Sequence, residues 1–210
     1  GSGLTDWVVD AENNVYAIMV FNASVFSKSI SALLTEREQT CFIPDDPSYE
    51  VSIDCGTRYG AFMYILLHES THLVDYVKNI TPYTDPQVKK YLRIRPTETN
   101  ITRDIWKEYD VPHAKFIFTD RVFFYGFASP GLKISEAERV YSELSGSPFI
   151  SLYGSQSWAE DLAELATFYH LSRTLNQPYV IRVAKSGKNL LTLYPLNAPE
   201  VKKRLPMIQK

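Results

Sequence analysis

The chain has 210 residues, 45% hydrophobic and 22% charged, enough for one domain with a sizeable core. A net charge of −2 gives no footing for a nucleic-acid partner or an anionic membrane surface, and no apolar run approaches the length of a membrane span. Fourteen tyrosines in an aromatic share of 13% suit aromatic strands or a cleft that grips an extended ligand.

In chain order, Gly1 to Gly3 read as a cloning scar ahead of a single domain over 4–210. "DWVVDAENNVYAIMVFN" predicts two strands turning at Glu12-Asn13-Asn14. "SVFSKSISALLTERE" has helical spacing, with Ser24 or Ser27 as the cap. Residues 41–55 carry two prolines and an acidic run, and read as an irregular loop between Cys41 and Cys55. A disulfide between these cysteines would close a loop of about 15 residues, worth roughly 3 kcal/mol, and would place the protein outside the cytosol. The acidic residues Asp45, Asp46, Glu50 and Asp54 lack the spacing of a calcium loop.

From Thr57 to Lys78 runs the strongest helix, apolar on every side between Ala61 and Leu67 and therefore expected inside the core. Residues 79–133 are polar and proline-punctuated and read as an insertion or lid, with "KFIFTD" and "VFFYGFAS" as short strands or aromatic loops. A short helix over 134–144 starts at Ser135, with Glu138 three residues on as in a capping box. A second long helix covers 157–175, capped by Ser157 or Ser155. A hairpin then turns at Ser186-Gly187-Lys188, and the basic tail reads as a helix end or linker.

The chemistry lies in "LLHESTHLVD", residues 66–75. On a helix, positions four apart share a face, about 5–6 Å between Cβ atoms, so His68 and His72 can aim two imidazole nitrogens at one ion. Glu69 stands beside that ion, where it can take a proton from water. A hydrolytic zinc site needs a third protein ligand and an open position. No histidine follows at the spacing of a His-x-x-Gly-x-x-His extension, so a carboxylate must serve. "YGSQSWAEDLAEL" offers Glu160, with Glu164 one turn on as acceptor for a histidine N–H. If the 73–152 stretch does not fold back, Glu136, Glu138 or Glu143 become the rival ligands. Asp75 could orient a partner of the site or be a surface charge. His113 and His170 are assigned to packing or surface.

These two segments resemble the gluzincin zinc metallopeptidases, and the spacing from Tyr153 to "EDLAE" is most similar to the branch containing the catalytic domain of anthrax lethal factor. The resemblance implies His68, His72 and Glu160 as zinc ligands, Glu69 as general base and Tyr153 as the group that helps stabilise the oxyanion. It further implies that Asp161 and Glu164 support the site. The expected fold is α+β and zincin-like: a small antiparallel sheet on a buried HExxH helix, with a second ligand-bearing helix. The expected activity is zinc-dependent hydrolysis of peptide bonds with one Zn2+ per chain. The substrate would be a protein or peptide, held by strand addition at "VYAIMVF" or "KFIFTD", in an exported, monomeric protein. Three other readings stand beside this one: a catalytically silent zinc-bearing or substrate-binding module of a larger exported protein, an amide hydrolase of cell-wall peptides, and a metal-free interaction domain with an accidental motif.

Overall fold

The computed structural model describes residues 1–82, 99–126 and 130–208. It is a mixed α+β structure. The first two strands, β1 (Gly3–Val9) and β2 (Val15–Phe21), pair antiparallel from Gly3↔Phe21 to Val9↔Val15. Their turn is held by the Asp10 carboxylate, which accepts the Glu12 and Asn14 N–H groups while Asn13 takes a φ of +66°. Period-2 alternation puts Gly3, Thr5 and Trp7 on the inner face, and Trp7 stacks on Tyr76 with centroids 3.9 Å apart.

Helix α1 (Ile30–Gln39) begins two residues later than the sequence suggests. Asn22 caps a separate 3-10 turn over Ala23–Ser27, so the helix restarts with Ser29 Oγ accepting the Ala32 N–H. The 41–55 segment is not the irregular loop expected. It contains β3 (Phe42–Ile43) and β4 (Tyr49–Asp54), the latter with Val51 and Ile53 turned inward. Strand β4 is an edge of the order β4-β8-β9, where β8 is Val180–Lys185 and β9 is Lys188–Leu193. Val51 pairs with Val183 and Ile53 with Ile181, so the strand is recruited by residues far along the chain. Ser186 and Gly187 both have positive φ, as the two-residue type I′ turn between β8 and β9 requires.

Cys41 and Cys55 are free and buried, so the expected disulfide is not formed. Cys41 Sγ is turned back onto the Glu38 carbonyl oxygen at the end of α1, 3.0 Å away. Burial pushes both thiols up from their ordinary value. The expectation of export, which leaned on that bridge, loses its support.

Helix α2 (Ala61–Lys78) buries Ala61, Tyr64, Ile65, His68, Glu69 and Asp75 and ends at Asn79 in the left-handed region. It packs on the β1–β2 hairpin and on α1, which itself lies against β4. The sheet seated directly on the HExxH helix is thus the two-stranded hairpin. Most of the proline-rich stretch after α2 lies outside the described residues, as do 127–129 of "VFFYGFAS". Within 99–126, β5 (Trp106–Glu108) and β6 (Val111–Pro112) form a short hairpin, whereas "KFIFTD" forms turns, not a strand.

Strand β7 (Leu132–Lys133) runs parallel to β3. Helix α3 (Ala137–Ser145) follows a 3-10 turn over Ile134–Glu136, where Glu136 accepts the Lys133 N–H at 3.1 Å; Ser135 is turned instead to Asp45. Helix α4 (Trp158–Tyr169) starts at Ser157, whose Oγ accepts the Glu160 N–H, and runs on into a π-helical turn over His170–Thr174. It packs along α2. The tail is no linker: it forms α5 (Pro199–Ile208) with Val201, Arg204 and Leu205 buried. Between these layers Phe168 stacks on Tyr179 at 3.5 Å and meets Tyr64; full burial of such a side chain stabilises by about 1.5–3 kcal/mol. Among the described residues no helix is long and apolar enough to cross a membrane.

Candidate metal centre

Helical periodicity in α2 and the Ser157 cap of α4 bring three donors together. His68 Nε2 and His72 Nε2 are 3.2 Å apart. Glu160 Oε2 lies 3.0 Å from the first and 3.8 Å from the second. All three ligand atoms fall within 4.8 Å of one another, and among the described residues this is the one such group. Tetrahedral zinc with bonds of 2.0–2.2 Å requires donors about 3.3 Å apart. Two imidazole nitrogens and one carboxylate oxygen at these spacings fit that ion, so His68, His72 and Glu160 would hold it.

The same crowding sets the protonation states. Burial pulls His68 down, but the hydrogen bond to Glu160 and the approach of Glu164 outweigh it and push the ring up to about 10. Glu160 is held below the usual glutamate value: burial opposes this, and the two histidines prevail. His72 is lowered, by burial first.

Glu164, one turn after Glu160, is 0% exposed yet surrounded by donors. Its oxygens accept Arg37 Nη1 at 3.2 Å, Arg37 Nη2 at 2.9 Å, Ser151 Oγ at 2.6 Å and the Tyr64 hydroxyl. His68 Nδ1 stands 3.2 Å from Glu164 Oε1. The ring N–H is not aimed along that line, so the contact is electrostatic rather than a formed hydrogen bond. Burial opposes ionisation of Glu164, but Arg37 and His68 hold it well below the usual carboxylate range.

Glu69 is buried at the foot of a cleft of about 410 Å3. Its carboxylate takes the Thr5 hydroxyl at 2.8 Å, and Gly3 passes so close that a Cβ there would lie 2.9 Å from Glu69 Oε1. Gly3 is the first residue of β1 and packs on the motif. It is β1, not β2, that borders the cleft. Aromatic walls come from Trp7, Tyr76, Tyr109, Tyr125 and Trp158. Tyr153, in a 3-10 turn before α4, also lines it, with its ring centroid 5.9 Å from that of His68. Burial pushes its hydroxyl far above the ordinary tyrosine value.

Asp75 lines the same cleft, and the other expected residues lie outside it. Asp161 is turned about 100° from Glu160 and accepts Arg204 and Trp106 instead. Asp75 accepts the Thr81 N–H at 2.7 Å and the Thr81 hydroxyl, anchoring the chain as it leaves α2. Glu136 pairs with Arg121, Glu143 accepts the Ile117 N–H, and Glu138 is exposed, which removes all three as rival ligands. Asp45, Asp46 and Asp54 serve Ser135, Ser48 and Arg182 respectively. His113 is exposed, and His170 meets Thr174. The sequence reading missed Arg37, Tyr64, Ser151 and Thr5; nothing local to them announces a site.

No family model matches this chain, and no curated protein or solved structure matches it either.

Proposed function

We propose that this chain is a zinc-dependent peptide-bond hydrolase of zincin-like fold. The observation that carries the reading is the convergence of His68, His72 and Glu160 from two packed helices, with Glu69 beside them at the foot of a cleft. When bound there, zinc would supply a Lewis acid and lower the pKa of water towards about 7. Glu69 takes the proton from the attacking water and returns it to the leaving amine. Tyr153 supplies a hydroxyl at the cleft wall for the developing oxyanion. The Glu164 carboxylate, 3.2 Å from His68 Nδ1, favours by its charge the tautomer protonated there, whose Nε2 lone pair faces the ion. An extended protein or peptide substrate fits along the cleft that β1 borders, with the aromatic walls as side-chain contacts.

Metal content by elemental analysis, on the wild type and Glu160→Ala purified together, tests this. The expected result is about one zinc per wild-type chain and little in the variant, with peptide cleavage abolished in Glu69→Gln while its zinc stays. A wild type that cannot be loaded with zinc would overturn the proposal. A zinc-loaded wild type as inactive as Glu69→Gln on peptide libraries would favour the catalytically silent zinc-bearing module.

A further inference from the structure

Arg37 is a charged residue of α1 that no motif singles out, yet its side chain is 3% exposed and sits at the hub of the centre. Both of its terminal nitrogens engage Glu164, one on each carboxylate oxygen, and Nη1 also donates to the Tyr64 hydroxyl. The Cζ of the same guanidinium lies over the Tyr153 ring, 4.4 Å from its centroid. Its two engagements therefore reach two different parts of the proposed machinery. Through Glu164 it reaches the Nδ1 edge of His68, and as a cation over the ring it reaches Tyr153.

A ligating histidine depends on what its second nitrogen meets, because that partner sets the tautomer and the ring orientation. Here the partner is a carboxylate that could not stay ionised in a dry site without a compensating cation. Tyr64 and Ser151 supply donors but no charge. Among the described residues only Arg37, with its planar fork, supplies both the charge and two fixed directions for the carboxylate plane. We infer that Arg37 is a positioning residue of the metal centre, fixing the Glu164 carboxylate that orients His68 and clamping the Tyr153 ring against the cleft. This rests on the zinc reading above and adds to it a residue on a third helix.

A buried ion pair that merely ties α1 to α4 would make a different prediction: loss of stability with no change in metal affinity of the folded protein. The test uses the full chain and four variants: Arg37→Met, Glu164→Gln, the two combined, and Arg37→Lys. Each is checked for folding by circular dichroism and titrated with zinc against a chromophoric chelator, and the visible spectrum of its cobalt(II) form is recorded. Arg37→Met and Glu164→Gln are each expected to weaken zinc about 10–100-fold and to shift the cobalt bands. The combined variant should be no weaker than the worse single, because both act through one carboxylate. Arg37→Lys should fall between, since an ammonium keeps the charge and loses the fork.

Should wild type bind zinc and Arg37→Met bind it within about threefold, or should the combined loss equal the product of the single losses, the inference falls and the zinc reading stands. If wild type binds no zinc, both fall together. If Arg37→Met does not fold, Arg37→Lys decides: a weakened site supports the inference, and an affinity and cobalt spectrum identical to wild type overturn it.

Discussion

Asp161 follows the proposed ligand Glu160 directly and points the other way, which makes it a test of how the site is divided from its scaffold. Its carboxylate accepts Arg204 Nη1 at 2.8 Å, Arg204 Nη2 at 2.7 Å and Trp106 Nε1 at 2.8 Å. Asp161 and Arg204 are 1% and 3% exposed. Replacing Asp161 by Ala leaves a buried guanidinium with only the Pro148 carbonyl, 2.8 Å away, and an indole N–H with no acceptor. Breaking a buried pair from one side costs about 3–5 kcal/mol. Removing both charges, as in Asp161→Leu with Arg204→Met, leaves only the indole N–H stranded, about 1–3 kcal/mol. The double variant should therefore be about 2 kcal/mol more stable than either single, Asp161→Leu or Arg204→Met. In urea, with a slope of about 2–3 kcal/mol/M, the Asp161→Ala midpoint should drop by about 1–2 M. Zinc affinity measured below the transition should stay within about threefold of wild type. A loss under about 1 kcal/mol, or a variant that keeps its midpoint and loses zinc, would refute the argument and return Asp161 to the metal site.

Three further outcomes follow from the same geometry. His68 has its folded value raised from 6.5 to about 10, so its contribution to stability is complete below 6.5 and is lost as the pH climbs through 10. Chelator-treated protein should lose melting temperature across that window more steeply than His68→Gln; parallel profiles would sink this. Both cysteines being buried thiols, dithiothreitol should leave the melting temperature unchanged, and a thiol reagent should label both residues only after unfolding without reductant. Failure to label them then would mean a disulfide after all. Gly3→Ala should cost about 1–3 kcal/mol by overpacking, because the new Cβ would meet Ile65 Cγ2 at 2.6 Å as well as Glu69; an unchanged midpoint in urea would show that β1 does not seat as described.

The parts of this protein that sequence reveals are those whose geometry is local. His68 and His72 are four apart on a helix, so their convergence needs nothing beyond the backbone repeat. Glu160 and Glu164 share a face for the same reason, and Ser157 announces where their helix begins. The same repeat turns Asp161 about 100° away from Glu160, which is why its carboxylate meets Arg204 and Trp106 rather than the three donors. Strand β4 is hidden in the sequence by Pro44, Pro47 and its acidic neighbours. Its pairing with β8 joins residues over a hundred positions apart, visible only as alternate burial of Val51 and Ile53.

What stays out of reach in the sequence is the charge that holds the centre. Arg37 and Glu164 are 127 positions apart, and in "LLTEREQ" the arginine reads as one more solvated charge on an amphipathic helix. Its role arises because α4 buries two carboxylates that reach different partners: Glu164 meets Arg37 of α1 and Tyr64 of α2, and Asp161 meets Arg204 of α5 and Trp106 of the β5 hairpin. Each buried carboxylate costs several kcal/mol to desolvate unless a cation meets it, and each has its own buried arginine, Arg37 on one side and Arg204 on the other. The two pairs are alike in burial and geometry. Their other neighbours differ, and of the two only the Glu164 pair has a proposed metal ligand, His68, against it. That single contact is what separates a pair that locks helices together from a pair that can set the orientation of a metal ligand.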